Sequence, residues 1–152
     1  MSCTFKRLAL FLSIGLAAHI SAAQNFITGA DLSYTNTILE KGGEYRNTEG
    51  EMIDPYQYFS ERGAKMVRLR IWHTPENVQD ICGNPIHSSN LEDVLLAAKR
   101  ASNNGMEINL SIHYGDHFND PGKQLRPNAW MGLTHEALLD SVYNYTYNIL
   151  EE

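Results

Sequence analysis

Apolar and polar positions along the chain fall into three strand-like stretches, each followed by a stretch with helical spacing. Phe26-Ile27-Thr28-Gly29-Ala30-Asp31-Leu32-Ser33 predicts a short first strand, and a long polar loop follows it, punctuated by Lys41-Gly42-Gly43 and Asn47-Thr48-Glu49-Gly50. Asp54 then supplies an N-cap and Pro55 a first helical position, which predicts a short helix through Tyr58 and Phe59 that stops at Gly63. Lys65 to Trp72 is the clearest strand: Met66, Val67, Leu69 and Ile71 read as apolar outer positions, with Arg68, Arg70 and Trp72 on the other parity. A second long loop spans His73 to Ser88. Ser89-Asn90-Leu91-Glu92 fits a capping box with Ser89 as N-cap, and Leu91, Val94, Leu95, Ala98 and Ala101 form one helix face that ends at Asn103-Asn104-Gly105. Met106 to His113 is the third strand, with Ile108, Leu110 and Ile112 on one side and Asn109, Ser111 and His113 on the other. After a third long loop, Tyr114 to Leu133, a helix capped near Thr134 carries the stripe Leu138, Val142, Tyr145, Ile149.

The connections carry as much information as the elements. Helix-to-strand links are tight, while every strand-to-helix link is long. Alternating βα units imply parallel strands with right-handed crossovers. Long loops gathered at the C-terminal strand ends, with tight links at the other, are the asymmetry of a (β/α)8 (TIM) barrel. A doubly wound sheet would want G-x-G-x-x-G after its first strand, and none is there. Three βα units cannot close a barrel of typically about 250 residues, so the sequence reads as the first three eighths of a larger domain. An open three-stranded sheet leaves edges unpaired, and the piece is not expected to be stable alone.

Composition refines this picture at a few points. Among 152 residues, 43% are hydrophobic and 20% charged, which suits a globular protein. Residues 1–23 read as a secretory signal peptide: Lys6 and Arg7, then the apolar run Leu8 to Ala18, then Ser21 and Ala23 before cleavage at Gln24. That run is well short of the roughly 20 residues of a membrane span, so no membrane anchor is expected, and the protein is read as secreted or periplasmic. The formal charge is −6, and the leader carries two basic residues and no acidic one, so the remainder stands at −8. Such an acidic balance argues against a nucleic-acid partner. Cys82, the one cysteine after the leader, has no internal partner and reads as a partly buried bystander in a loop.

Arg68, Arg70, Trp72 and His113 fall near the C-terminal ends of neighbouring strands, on the inner parity. Buried guanidiniums need carboxylates, so these residues form either a structural ion-pair layer or part of a site. In the third loop, Tyr114-Gly115-Asp116-His117-Phe118-Asn119-Asp120, continuing to Trp130, interleaves rings with polar groups, which suits sugar binding; alternatively Phe118 and Trp130 pin the loop. His113, Asp116 and His117 have a spacing that ligands can share, but no metal-binding motif surrounds them, and no metal or cofactor is expected.

Gly29-Ala30-Asp31-Leu32-Ser33, Val67-Arg68-Leu69-Arg70-Ile71-Trp72, and Ile112-His113-Tyr114-Gly115-Asp116-His117-Phe118-Asn119-Asp120-Pro121-Gly122-Lys123-Gln124 through Trp130 together resemble glycoside hydrolase family 53, the endo-β-1,4-galactanases (arabinogalactan endo-1,4-β-galactosidases). The resemblance implies a retaining (β/α)8 barrel that hydrolyses β-1,4-galactan in pectic arabinogalactan, monomeric at full length. It implies that Arg68, with Arg70 beside it, orders the nucleophile carboxylate, and that His113 lines the subsite of cleavage. Asp31, Tyr34, Trp72, Tyr114, Asp116 and Trp130 fall on positions that line or shape the groove. Two positions depart from the family pattern: Ser111, where aspartate is usual, and Phe118, where tryptophan is usual. The retaining pair, two carboxylates about 5–5.5 Å apart, is implied to be glutamates on the fourth and seventh strands; the Glu151-Glu152 pair is not that motif. The rival readings are a related barrel hydrolase acting on another β-linked polysaccharide and a noncatalytic sugar-binding protein.

Overall fold

In the computed structural model, residues 26–152 are described, and the leader read over residues 1–23 lies outside them. Three parallel strands are flanked by four helices: β1 (Gly29–Asp31), α1 (Thr35–Glu40), α2 (Pro55–Glu61), β2 (Met66–Ile71), α3 (Leu91–Asn103), β3 (Glu107–Ile112) and α4 (His135–Glu151). The sheet order is β1-β2-β3, each strand parallel to the next. Asp31 pairs in register with Arg68, and Arg70 with Ser111. The tight links are residues 62–65 and 104–106, each with a glycine at positive φ (Gly63 at 88°, Gly105 at 71°). The long loops all leave the C-terminal strand ends, so the molecule is one arc of a (β/α)8 barrel.

Alternation along β2 sorts its side chains onto two faces. Val67, Leu69 and Ile71 are fully buried under the helices, in one core with Tyr56, Val94, Ala97, Ala101, Met106 and Ile149. The opposite face carries Arg68 and Arg70 together with Met66, which shares their parity and is only half-buried, so it does not belong with the apolar outer set. On α4 the expected stripe is the inward face, with Ile149 buried. The outer strand β3 is less covered, and Ile108 is exposed.

Several local expectations need correction. α1 lies inside what reads as a polar loop; its buried residues are Thr35 and Asn36 rather than an apolar stripe. Asn36 Nδ2 donates to Asp93 Oδ1 at 2.8 Å and Arg100 Nη1 donates to Asn36 Oδ1 at 2.8 Å, so polar bonds hold this helix to α3. The cap of α3 is Asn90, not Ser89, and Asp93, not Glu92, reaches back to close the box. Ser89 stands at φ 62° with its carbonyl taken by the Trp72 N–H, a conformation an N-cap residue does not adopt. The buried face of α3 is Val94, Ala97 and Ala101, while Leu91 and Leu95 are exposed. Cys82 is exposed rather than partly buried. Asp54 caps α2 as expected, accepting from the Tyr56 N–H at 2.8 Å.

Two substitutions read out this packing. Leu69→Ala removes a fully buried side chain between strand and helices, and about 2–5 kcal/mol of stability is expected to go with it. Ile81→Ala, at a fully exposed loop tip, is expected to stay within about 0.5 kcal/mol. Urea unfolding of the two variants beside the parent measures both.

Candidate functional site

The polar face of the sheet gathers its charges around one carboxylate. Asp31, last residue of β1, accepts from Arg68 Nη1 at 3.0 Å and from Arg70 Nη2 at 2.7 Å, both on Oδ2. Its Oδ1 accepts from the Ser33 hydroxyl at 2.7 Å and the Ser33 N–H at 3.2 Å. The same hydroxyl accepts from the Arg70 N–H at 3.1 Å, fastening the β1 loop to β2. Partial burial would push the Asp31 carboxyl up; the Ser33 bonds and then the two guanidiniums outweigh it and hold it below the usual carboxylate range. The resemblance places Asp31 among positions that line or shape the groove, and here it is the carboxylate that both arginines bond. Register is the missing signal: the sequence shows an acid on one strand and arginines on another, but not that Asp31 stands opposite Arg68.

Ser111 of β3 completes the surround, accepting from Arg68 Nε at 3.0 Å. It offers a neutral acceptor, so the two arginines share a single carboxylate among the described residues and the cluster keeps one unit of positive charge. Arg70 also lies 5.6 Å from the ring centre of Tyr34 and 5.9 Å from that of Phe118, within reach of a cation–π attraction to each.

His113 follows β3 directly and its N–H donates to the Ile71 carbonyl at 2.8 Å, extending the ladder by one bond. Burial first, and then the charges of Arg68 and Arg70, lower its pKa from 6.5. At neutral pH it is an uncharged imidazole, with one nitrogen that donates and one that accepts, suited to a hydroxyl group. It lines a cavity of about 310 Å³ with Ser111, Tyr114, Asn119, Gln124 and Arg126.

The remaining candidates divide by exposure. Tyr114 and Phe118 present their rings openly. Trp72 and Trp130 are buried, at 5% and 6% exposure. Trp72 meets the Tyr34 ring edge-on at 6.2 Å, and Trp130 packs against His73, Tyr114 and Tyr145. Both tryptophans therefore stand behind the open surface. Asp116 is buried too, its Oδ2 taken by the Asn128 N–H at 2.8 Å. His117 Nδ1 bonds the Phe118 carbonyl, and no group of three or more His, Cys, Asp or Glu among the described residues is placed to hold a metal ion. No helix among them is long and apolar enough to cross a membrane.

Acid should loosen this structure in two stages. The lowered pKa values of His73 and His113 mean the fold favours their neutral forms, so their contribution is complete above 6.5 and is lost as pH falls below it. Asp31 and Asp54 are held below 3.8, and the stability they confer is lost only as pH falls past that value. Urea midpoints measured from pH 8 to pH 3 should show both declines, and His113→Gln should shrink the first.

Known proteins share this sequence and fold over most of the chain. The family description "Glycosyl hydrolase family 53" matches residues 27–152. An arabinogalactan endo-β-1,4-galactanase of Cellvibrio japonicus is 37% identical over 93% of this chain and 36% of its own length. An endo-β-1,4-galactanase of Bacillus subtilis is 34% identical over 85% of this chain and 30% of its own. Among solved structures, a family 53 catalytic domain from Ignisphaera aggregans superposes with a TM-score of 0.75 at 34% identity, covering 86% of this chain and 36% of that one. The chain thus spans about a third of the length of these relatives. On that match the chain belongs to glycosyl hydrolase family 53.

Proposed function

We propose that the intact protein is an exported, endo-acting galactanase that hydrolyses β-1,4-galactan in pectic arabinogalactan with retention of configuration. The observation that carries this reading is the Asp31–Arg68–Arg70 cluster beside a neutral His113, at the strand ends where barrel enzymes do their chemistry. The names of the relatives supply the substrate.

The cluster's surplus positive charge is its chemical asset. Retaining hydrolysis needs one carboxylate ionised as nucleophile and a second that is protonated to assist departure. A guanidinium pair only half-neutralised by Asp31 lowers the pKa of any further carboxylate brought beside it, keeping that group ready to attack. Arg68, whose Nη1 bonds Asp31 and whose Nε bonds Ser111, is the arginine assigned to that task, with Arg70 alongside. In this reading neither catalytic glutamate is among the described residues. Glu107 begins β3 at the end opposite His113, and Glu151 closes α4.

His113 positions the sugar by hydrogen bonding to a hydroxyl, and partial burial together with the arginine charges keeps it neutral for that purpose. Tyr114 and Phe118, and Tyr34 beside Arg70, offer ring faces for the apolar side of a pyranose. Trp72 packs against the Tyr34 ring and Trp130 against the Tyr114 ring. The protein acts as a monomer with no cofactor, and the leader directs it out of the cytoplasm.

Two measurements test this. In the intact protein, Arg68→Ala is expected to lower kcat/KM on β-1,4-galactan by about a hundredfold or more, since a preorganised charge next to the reacting carboxylate is removed; a loss within a few-fold overturns the assignment of Arg68. A panel of galactan, mannan and cellulose should show hydrolysis of galactan, and a preference for either of the others removes the galactanase reading.

A further inference from the structure

The loop after β3 leaves the sheet at His113 and returns to α4 through a 3-10 turn at Asn128–Trp130. Between those points it carries Asn119, Gln124 and Arg126, which form one wall of the cavity beside His113. Its two ends meet at a single side chain. Asp116 Oδ2 accepts from the Asn128 N–H at 2.8 Å, closing a ring of chain from residue 116 to residue 128. Pro127 and Trp130 are buried at the same neck. Gly115, just before it, has Asn119 Nδ2 only 2.5 Å from where a Cβ would stand, so the loop folds back tightly on its own start.

The second carboxylate oxygen is the unusual one. Asp116 Oδ1 is buried and has no hydrogen-bond partner among the described residues. It faces His73 Nδ1 at 3.8 Å, too long for a hydrogen bond. His73 belongs to the preceding loop, and its N–H donates to the Gly115 carbonyl at 2.9 Å, so backbone and side chain of one residue both address the neck. The imidazole lies between the rings of Trp130 and Tyr145, with centroids at 4.7 and 4.6 Å, and its Nδ1 meets the Thr74 hydroxyl at 2.7 Å. The titratable groups against it are Asp116 from the loop after β3 and Tyr145 from α4, with Tyr114 beyond Tyr145. The Tyr145 hydroxyl is likewise buried without a partner among the described residues.

We propose that Asp116 is a positioning residue rather than a sugar contact: its carboxylate, bonded to the Asn128 amide and facing the His73 ring, latches the 116–128 loop and so fixes the wall of the cavity that His113 lines. At 6% exposure the side chain is out of reach of a polysaccharide, and its one hydrogen bond goes to the loop's far end. His73 is the second half of the latch, tying the loops after β2 and β3 together. Burial lowers its pKa and the Asp116 charge opposes that shift, so the carboxylate is felt at the ring across the gap. That the cavity is a sugar subsite rests on the galactanase reading; the latch does not.

The experiment uses the intact protein and separates those two claims. Asp116→Ala is expected to speed hydrogen exchange of the Asn128 amide about tenfold, the effect of losing one bond to a charged acceptor. On galactan it should raise KM by a similar factor with kcat nearly unchanged, because the wall is displaced while the reacting groups are not. Asp116→Asn, which keeps an acceptor but no charge, should leave the Asn128 exchange within a few-fold and move the His73 titration, followed by NMR, to lower pH. Should Asp116→Ala fail to fold, Asn128→Pro removes the donor instead, at a position opening a helical turn where proline is tolerated. It should raise KM and speed exchange of the Trp130 amide, which donates to the Pro127 carbonyl at 2.9 Å. Unchanged amide exchange in Asp116→Ala, or in Asn128→Pro where that replaces it, overturns the proposal. So does a rise in KM without faster exchange, which makes Asp116 a sugar contact. If the parent does not cleave galactan, the galactanase reading falls and the exchange measurements still decide the latch.

Discussion

Two guanidiniums on one strand repel each other, and the polar face of this sheet exists because a single carboxylate stands between them. Asp31 takes one bond from each arginine on the same oxygen while Ser33 saturates the other. Four donors converge on one small anion, an arrangement that fixes its orientation as well as its charge. β1 is only three residues long, and this carboxylate adds side-chain bonds to its ladder with β2. The same bonds set the directions of Arg68 and Arg70, whose charge adds to burial in lowering the pKa of His113. A strand, two cations and an imidazole are thus coupled through one side chain.

Behind that layer the molecule is organised by depth. The open rings of Tyr114 and Phe118 face solvent, the buried Trp130 packs against Tyr114 and the buried Trp72 against Tyr34, and the aliphatic core lies across the sheet. Trp72 is tied by its own N–H to Ser89, whose left-handed backbone reaches the carbonyl toward it. The start of α3 therefore helps to position a ring at the end of β2. Polar bonds run between the helices in the same fashion, with Arg100 joining Asn36 of α1 to Asp54 at the cap of α2. The long loops at this end are consequently anchored at several depths and do not depend on hydrophobic contact alone.

The alternation of β2 and the stripe of α4 were legible in the chain because period and burial coincide there: Val67, Leu69 and Ile71 are all covered, and Ile149 is the most buried residue of its helix. The barrel arc was legible for a related reason, since loop lengths report on chain direction without any knowledge of contacts. Legibility failed where polar bonding replaced apolar burial. α1 hides Thr35 and Asn36 and leaves Ile38 exposed, the reverse of an amphipathic stripe. The cap of α3 shifted by one residue because the Ser89 carbonyl was claimed by Trp72 from elsewhere in the fold. At the site, residue types gave the chemistry, and register gave the partners. Asp31 and Asp116 both read as residues that line or shape the groove; Asp31 bonds the protein through both oxygens and Asp116 through Oδ2.

Cys82 sits at the tip of the loop between β2 and α3, beside the fully exposed Ile81, and is the free thiol among the described residues. Its N–H and that of Asn84 both donate to Asp80 Oδ1, so the tip is a defined turn rather than a loose excursion. A maleimide dye or spin label attached there would decorate one known point, far in sequence from Asp31 and His113. Cys82 thereby offers a native attachment point for distance measurements among the described residues.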